Sequence, residues 1–190
     1  DIYTLSLHDA LPIWVRFGLL LTRNDGREEV VLGLGADLKQ EDRVVRLSRF
    51  LRGREAGRLP RAGQREILLG AELMRKLGLK VGDKINGLFS TSFGSVKIAT
   101  FRVAGRMESG LRYLDEAVAY LPLDTAMDLL EFEDAVTEIV VFTEQTGRTA
   151  DLQATLGRYV HAERQKVLLV PWYRFKDRKS TRLNSSHGII

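Results

Sequence analysis

The sequence predicts an α+β fold in which mixed sheets are interspersed with short helices. Of its 190 residues, 44% are hydrophobic and 28% are charged, which is the composition of an ordinary globular domain. Segments with strand-like and helix-like patterns follow one another without the strict βαβ repetition of a doubly wound sheet. The apolar runs are short, such as residues 19–21 and 167–170, and none approaches the roughly 20 residues needed to cross a bilayer.

The first predicted elements are a β-hairpin and an amphipathic helix. Residues 14–22 and 28–34 are apolar and rich in strand formers, and the Asn-Asp-Gly sequence at 24–26 tolerates the positive φ angles of a tight turn. Over residues 40–51 the apolar side chains recur at helical spacing, and arginines occupy much of the remaining surface. A polar loop broken by glycines and a proline follows this helix.

The segment 67–83 predicts a short strand followed by a helix. Glu72 and Lys76 are spaced to form a favourable i,i+4 ion pair, and Gly78 is placed to end the helix in a left-handed conformation. The apolar face of the helix is predicted to consist of Leu73, Met74 and Leu77.

Two further strands are predicted over residues 84–89 and 95–105, joined by the Ser/Thr/Gly-rich turn at 90–94. Within the second strand the apolar residues change parity after Ile98. Because a regular strand alternates with a period of two, we predict a bulge near residues 99–100.

The last third of the chain predicts, in order, a strand, a helix, a strand, a helix and a strand. These elements span residues 117–121, 124–130, 137–143, 149–157 and 167–170. Pro122 ends the first of these strands, and Asp124 is expected to cap the helix after it. The run of apolar residues within 137–143 predicts a strand that is buried on both faces.

The reactive side chains do not indicate an enzyme. The chain has no cysteine and no histidine pair at ligand spacing, so the usual zinc and iron sites cannot be assembled. It has no G-x-S-x-G elbow, and His161 has no evident catalytic partner. The glycines of Gly33-Leu34-Gly35 lack the third glycine of a dinucleotide-binding loop. We therefore predict no catalytic residue, no cofactor and no metal site.

Residues 43–65 form an arginine-rich span. The chain as a whole has a net charge of only +4, and this span holds eight arginines. This span has three interpretations: contact with nucleic acid, contact with anionic lipid headgroups, or a basic face that is simply solvated. The single aromatic residue of the span, Phe50, lies on the apolar side and is poorly placed to stack on bases. A solvated face is favoured, and a free-standing nucleic-acid-binding domain is the alternative function.

The two ends of the chain resemble translated sequencing adapters. Residues 177–187, DRKSTRLNSSH, look like the translation of a common sequencing-library adapter, and residues 2–13 resemble that of its partner. We therefore expect residues 1–13 and 177–190 to be adapter-derived tails that are not native. Residues 14–176 are then the domain itself.

Several short motifs in the domain resemble a family of transporter domains by their order and spacing. These motifs are Gly70, Leu77-Gly78, Gly82-Asp83, Gly105, Ser109-Gly110, Asp115 and Ala119-Tyr120-Leu121-Pro122-Leu123. The pattern is similar to the extracytoplasmic domain of ABC transporter permeases of the lipoprotein-releasing (LolC/LolE) and macrolide-exporter (MacB) type. The stretch from the Ser-Gly to the Pro-Leu motif favours the lipoprotein-releasing branch.

The resemblance implies a MacB-like periplasmic core fold with a mechanical, non-enzymatic role. In the family this domain lies outside the cytoplasm, between two transmembrane helices of a permease in the inner (cell) membrane, and a separate subunit hydrolyses ATP. The implied partners are that ATPase subunit, a second permease subunit in a dimeric transporter, and a lipoprotein or another periplasmic protein, with no nucleic acid. Arg112 and Tyr113, in a predicted exposed loop, are the residues that we expect to contact a partner.

Overall fold

A computed structural model of the chain describes residues 13–132, 137–139 and 149–162. The strands in this part are β1 (Ile13–Thr22), β2 (Glu28–Ala36), β3 (Glu66–Gly70), β4 (Lys84–Ser90), β5 (Val96–Met107), β6 (Val118–Pro122) and β7 (Glu138–Ile139). The helices are α1 (Leu38–Val45), a 3-10 helix (Leu47–Phe50), α2 (Ala71–Leu77), α3 (Arg112–Ala117), α4 (Leu123–Leu130) and α5 (Thr149–Ala162). The predicted α+β class, with a mixed sheet and short helices, is confirmed.

The first six strands pair in a closed ring. The strand order is β2-β6-β3-β5-β4-β1, and β1 also pairs with β2. The pairs β2–β6 and β3–β5 are parallel, whereas the other pairs of the ring are antiparallel. The ring has no open edge strand, since each of its strands pairs with a neighbour on both sides. The short β7 adds to the start of β1, and α5 belongs to a separate compact unit, residues 142–190.

Two hydrophobic clusters cover the two faces of these strands. On the first face, apolar residues of all six ring strands pack with helices α2 and α4. Its fully buried side chains include Leu19, Leu21, Ile67, Leu73, Leu77, Ile85 and Phe101. On the second face, Leu34, Leu68 and Tyr120 pack with residues between Leu38 and Leu59 and with Leu114 of α3.

Residues 38–65, which we call the cover, include α1, the 3-10 helix and the loop that leads to β3. The single helix predicted over residues 40–51 is wrong in its extent, because this stretch forms the end of α1 and a separate 3-10 helix. Helix α1 begins at Leu38 because the Asp37 carboxylate accepts hydrogen bonds from the Lys39 and Gln40 amides at 3.0 and 3.1 Å. It ends at Val45 because Arg46 takes a left-handed conformation with φ 52°.

The segment 67–83 forms the predicted strand and helix. Leu73, Met74 and Leu77 are buried, and Gly78 closes α2 with φ 64°. The predicted ion pair is wrong, since Glu72 pairs with Arg75 at 2.6 Å while Lys76 lies 4.0 Å from Glu116 of α3. Such exposed pairs contribute little to stability, so the helix depends on its apolar face.

The predicted bulge near residues 99–100 is also wrong. Strands β4 and β5 pair without interruption along the whole of β4, from Lys84 to Ser90. The parity changes because Val96 and Ile98 remain 64% and 69% exposed, and the buried residues of β5 start at Ala99. The register of β5 shifts only later, against β3, at the step between Ile67 and Leu68.

The last third of the chain follows the predicted order where it is described. Strand β6 ends at Pro122 and α4 ends at Leu130, but α4 begins at Leu123 with Pro122 as its N-cap, so the capping role predicted for Asp124 is wrong. Of the strand predicted over 137–143, the described part is β7, and there the predicted burial on both faces is wrong, since Ile139 is 45% exposed. Helix α5 extends beyond residue 157 to Ala162. The strand predicted over 167–170 lies outside the described residues.

Candidate functional site

The predicted partner-contact residues lie at the start of α3 rather than in a loop. Arg112 is the first residue of this helix, and its side chain is 87% exposed. Its neighbours Leu111 and Tyr113 are 62% and 60% exposed. We call these three residues the α3 tip, because together they present apolar, cationic and aromatic groups to solvent.

A buried carboxylate fixes the turn that leads into the α3 tip. Asp115 is 7% exposed and accepts hydrogen bonds from the Ser109 amide at 2.8 Å, the Ser109 hydroxyl at 2.7 Å and the Gly110 amide at 3.0 Å. Gly110 has a φ of 77°, a conformation that glycine adopts without strain. Hydrogen bonds to a charged acceptor are the stronger kind, so this Ser-Gly…Asp arrangement makes a firm base for the tip.

The end of β3 holds α3 from the other side. A Cβ atom placed on Gly70 would lie 2.2 Å from the backbone oxygen of Asp115, so only glycine allows the two backbones to approach this closely. The motif residues Gly70, Ser109, Gly110 and Asp115 therefore determine the position of the α3 tip.

The charge of the α3 tip is only partly compensated. The Arg112 Nε donates to Glu116 Oε1 at 2.9 Å, one helical turn away. Because the rest of this guanidinium is exposed, the pair is screened by solvent and its N–H groups remain available to a partner.

A second buried carboxylate lies on the inner face of α1. Glu41 is 4% exposed and accepts a hydrogen bond from the Trp14 indole N–H at 3.1 Å. Burial raises the pKa of Glu41, and the Trp14 hydrogen bond partly opposes that shift. Burial, together with the nearby Glu41, raises the pKa of Tyr120 to about 12. Sequence reasoning missed Glu41, although its position three residues after the buried Leu38 places it on the same helix face.

The glycines of Gly33-Leu34-Gly35 serve packing within β2. A Cβ atom on Gly33 would lie 2.5 Å from the Phe17 ring, and one on Gly35 would lie 2.4 Å from Ala126 of α4. Both glycines lie within β2, where they pair with β1 on one side and with β6 on the other.

The described residues show neither a cluster of metal ligands nor a helix that could span a membrane. Within residues 13–132, 137–139 and 149–162, no three histidine or acidic side chains are grouped as metal ligands would be. In the same ranges no helix has the length and apolar character needed to span a membrane.

Comparisons with known proteins give the family of the chain. The model of the MacB-like periplasmic core domain matches residues 9–159. The extracellular domain of the noncanonic ABC-type transporter YknZ from Gram-positive bacteria has a similar fold, with a TM-score of 0.57 and 13% identity over 82% of this chain and 76% of that one. None of the curated proteins compared with the chain matches it. Since the family model spans well over half of its residues, this chain belongs to the family of MacB-like periplasmic core domains, the extracytoplasmic domains of ABC-type transporter permeases.

Proposed function

We propose that this domain passes the ATPase-driven motion of its permease on to a periplasmic partner, in the release of lipoproteins or the export of another substrate. The observation that carries the proposal is the α3 tip, Leu111 to Tyr113, exposed on a base that Asp115 and Gly70 fix. A tip that is rigidly attached to its domain moves with it, which is what a mechanical role requires.

The path by which motion would enter the domain starts at β1. The start of this strand pairs with β7, where Trp14 lies opposite Glu138. The Arg16 side chain also contacts Glu138 at 2.9 Å, and the Thr137 amide donates to the Trp14 carbonyl at 3.1 Å. If a transmembrane helix precedes the domain, as the resemblance implies, it would act on this end of the ring.

The remaining parts of the proposal come from the resemblance of the sequence to the lipoprotein-releasing branch. The partners would be a separate ATPase subunit, a second permease subunit in a dimeric transporter, and a lipoprotein or another periplasmic protein. Within the chain, residues 14–176 would be the domain, and residues 1–13 and 177–190 would be tails that the natural protein lacks. The domain itself would hold neither a cofactor nor a catalytic residue.

A double substitution of the α3 tip tests the proposed partner contact. In the full-length permease, reconstituted with its ATPase, Arg112→Ala with Tyr113→Ala should lower transfer to the periplasmic partner by about tenfold or more, because arginine and tyrosine are the residue types that dominate interfaces. The rate of ATP hydrolysis should remain within about twofold of that of the unaltered transporter, since the substitutions remove only the contact used in transfer to the periplasmic partner.

The matched control is Arg27→Ala with Val30→Ala, which removes one cation and one exposed apolar side chain from the β1–β2 hairpin. This control should leave transfer unchanged. Equal losses of transfer in the two variants, or no loss in the variant of the α3 tip, would contradict the contact.

A further inference from the structure

The cover, residues 38–65, carries an unbalanced set of exposed arginines. One of its eight arginines between 43 and 65 is paired with a carboxylate, since the Arg58 guanidinium donates to Glu66 at 2.5 and 2.7 Å, which lowers the pKa of Glu66. The other seven are exposed, and none of them lies within 4.0 Å of a carboxylate in the part of the chain that the structure describes. They are Arg43, Arg46, Arg49, Arg52, Arg54, Arg61 and Arg65.

The cover is fixed on the second face of the strands. Three buried side chains anchor it, since Leu38, Leu47 and Ala56 are 6%, 3% and 2% exposed. Leu38 and Leu47 belong to the hydrophobic cluster of the second face. Its backbone is tied to the end of β5, because the Phe50 carbonyl accepts from Glu108 N at 2.9 Å and the Ala56 carbonyl accepts from Arg106 N at 2.8 Å. The anchors take the inner side, so the interleaved arginines form the outer surface of the cover.

The acids of the same segment do not neutralise this outer surface. Glu41 lies on the buried face of α1, and Asp42 is half-buried and directed at the Ser48 amide, from which it accepts a hydrogen bond at 2.6 Å. Glu66 is held by Arg58, which leaves Glu55 as an exposed acid among the arginines. There is also no lysine between residues 40 and 66. Arginine, unlike lysine, presents a planar fork of N–H donors that matches the oxygens of a phosphate.

We propose that the cover binds the phosphodiester headgroups of anionic phospholipids at the membrane surface beside the permease. A domain of a membrane permease lies near a bilayer, where several arginines act together and each adds to the attraction. Nucleic acid fits less well, because Phe50 is half-buried and the Arg49 guanidinium already lies 4.6 Å from its ring centre. This inference rests on the family of the chain and does not depend on the contact proposed for the α3 tip.

Vesicle co-sedimentation of the 190-residue chain tests the proposal. At low salt the chain should sediment with phosphatidylcholine vesicles that contain about 30 mol% phosphatidylglycerol, and much less with phosphatidylcholine alone. Raising the salt to roughly 0.3 M should release it, because screening weakens the attraction of exposed charges. Equal binding to both kinds of vesicle would overturn the proposal.

Two triple variants locate the binding surface. Arg49→Gln, Arg52→Gln and Arg54→Gln together should weaken the partition onto anionic vesicles by about tenfold or more. The control, Arg27→Gln, Lys80→Gln and Lys84→Gln, removes the same number of exposed positive charges outside the cover and should change partition by less than about threefold. All six side chains are exposed, so we expect both variants to keep the far-ultraviolet circular dichroism of the unaltered chain.

Three further results would also overturn the proposal. Equal losses of partition in the two variants would attribute binding to net charge alone. Release by inorganic phosphate at constant ionic strength would indicate isolated anion sites instead of a membrane surface. Tighter binding of a single-stranded oligonucleotide than of anionic vesicles would favour nucleic acid as the partner.

Discussion

Gly70→Ala should lower the free energy of unfolding by about 2–4 kcal/mol. We expect this to be among the largest losses of stability that adding one methyl group causes in this domain. The backbone of Gly70 has a φ of −67°, which alanine adopts readily, so the cost is not conformational. It comes from the new Cβ atom, which would lie 2.2 Å from the carbonyl oxygen and 2.5 Å from the Cα of Asp115. These are backbone atoms that cannot rotate away, so β3 and α3 must move apart. Urea unfolding measures the loss.

The matched control is Gly18→Ala in β1. A Cβ atom there would have no heavy atom within 4 Å, so the same chemical change meets open space. We expect the stability to change by less than about 0.5 kcal/mol or to rise slightly, since alanine has fewer unfolded conformations than glycine. A loss of the same size at both glycines, or no loss at Gly70, would contradict the close approach of β3 and α3.

Asp115→Ala should cost about 2–4 kcal/mol of stability and release the turn in front of the α3 tip. The substitution removes the acceptor of three hydrogen bonds and leaves the Ser109 and Gly110 amides without the carboxylate that they share. Trypsin should then cleave after Arg112 faster than in the unaltered chain, because a loosened turn fits a protease better. Cleavage rates under native conditions and urea unfolding together measure the effect.

Asp128→Ala is the control for this substitution, because Asp128 is an exposed acid on α4. It should change stability by less than about 0.5 kcal/mol and leave the cleavage after Arg112 unchanged. If Asp115→Ala loses stability but cleavage after Arg112 does not accelerate, Asp115 supports the core and does not hold the α3 tip.

The elements that sequence reasoning predicts correctly carry their signals locally. The turn between β1 and β2 contains Gly26 with φ 85°, and α2 ends at Gly78, as expected of glycines that follow a turn or helix pattern. The apolar face of α2 could be predicted because helical spacing alone places Leu73 and Leu77 together. In these segments the local preference and the tertiary structure agree.

The predictions that fail depend on contacts between distant residues. The helix over 40–51 breaks at Arg46, a residue with no helix-ending signal, where the chain must turn to place Leu47 against the second face. The predicted bulge assumes that Val96 and Ile98 are buried, whereas both are exposed. The pairing of β1 with β4 closes the ring, and it joins residues such as Leu20 and Leu88 that no local pattern connects.

The candidate site could be predicted only in part. The sequence indicates Arg112 and Tyr113 as exposed residues, but places them in a loop and not at the first turn of α3. The sequence also indicates Asp115 only as one residue of the family motif, and not as the acceptor that fixes the turn. That its carboxylate accepts from Ser109 and Gly110 depends on the close packing of α3 against Gly70, which spacing cannot reveal.

The most direct test of the central claim, that this chain is the extracytoplasmic domain of an ABC permease, is the sequence of the genomic locus on both sides of it. We expect one open reading frame with an apolar stretch of about 20 residues before Trp14 and another after Lys176. We also expect that residues 1–13 and 177–190 are not encoded there. A reading frame without apolar stretches on either side would contradict the claim.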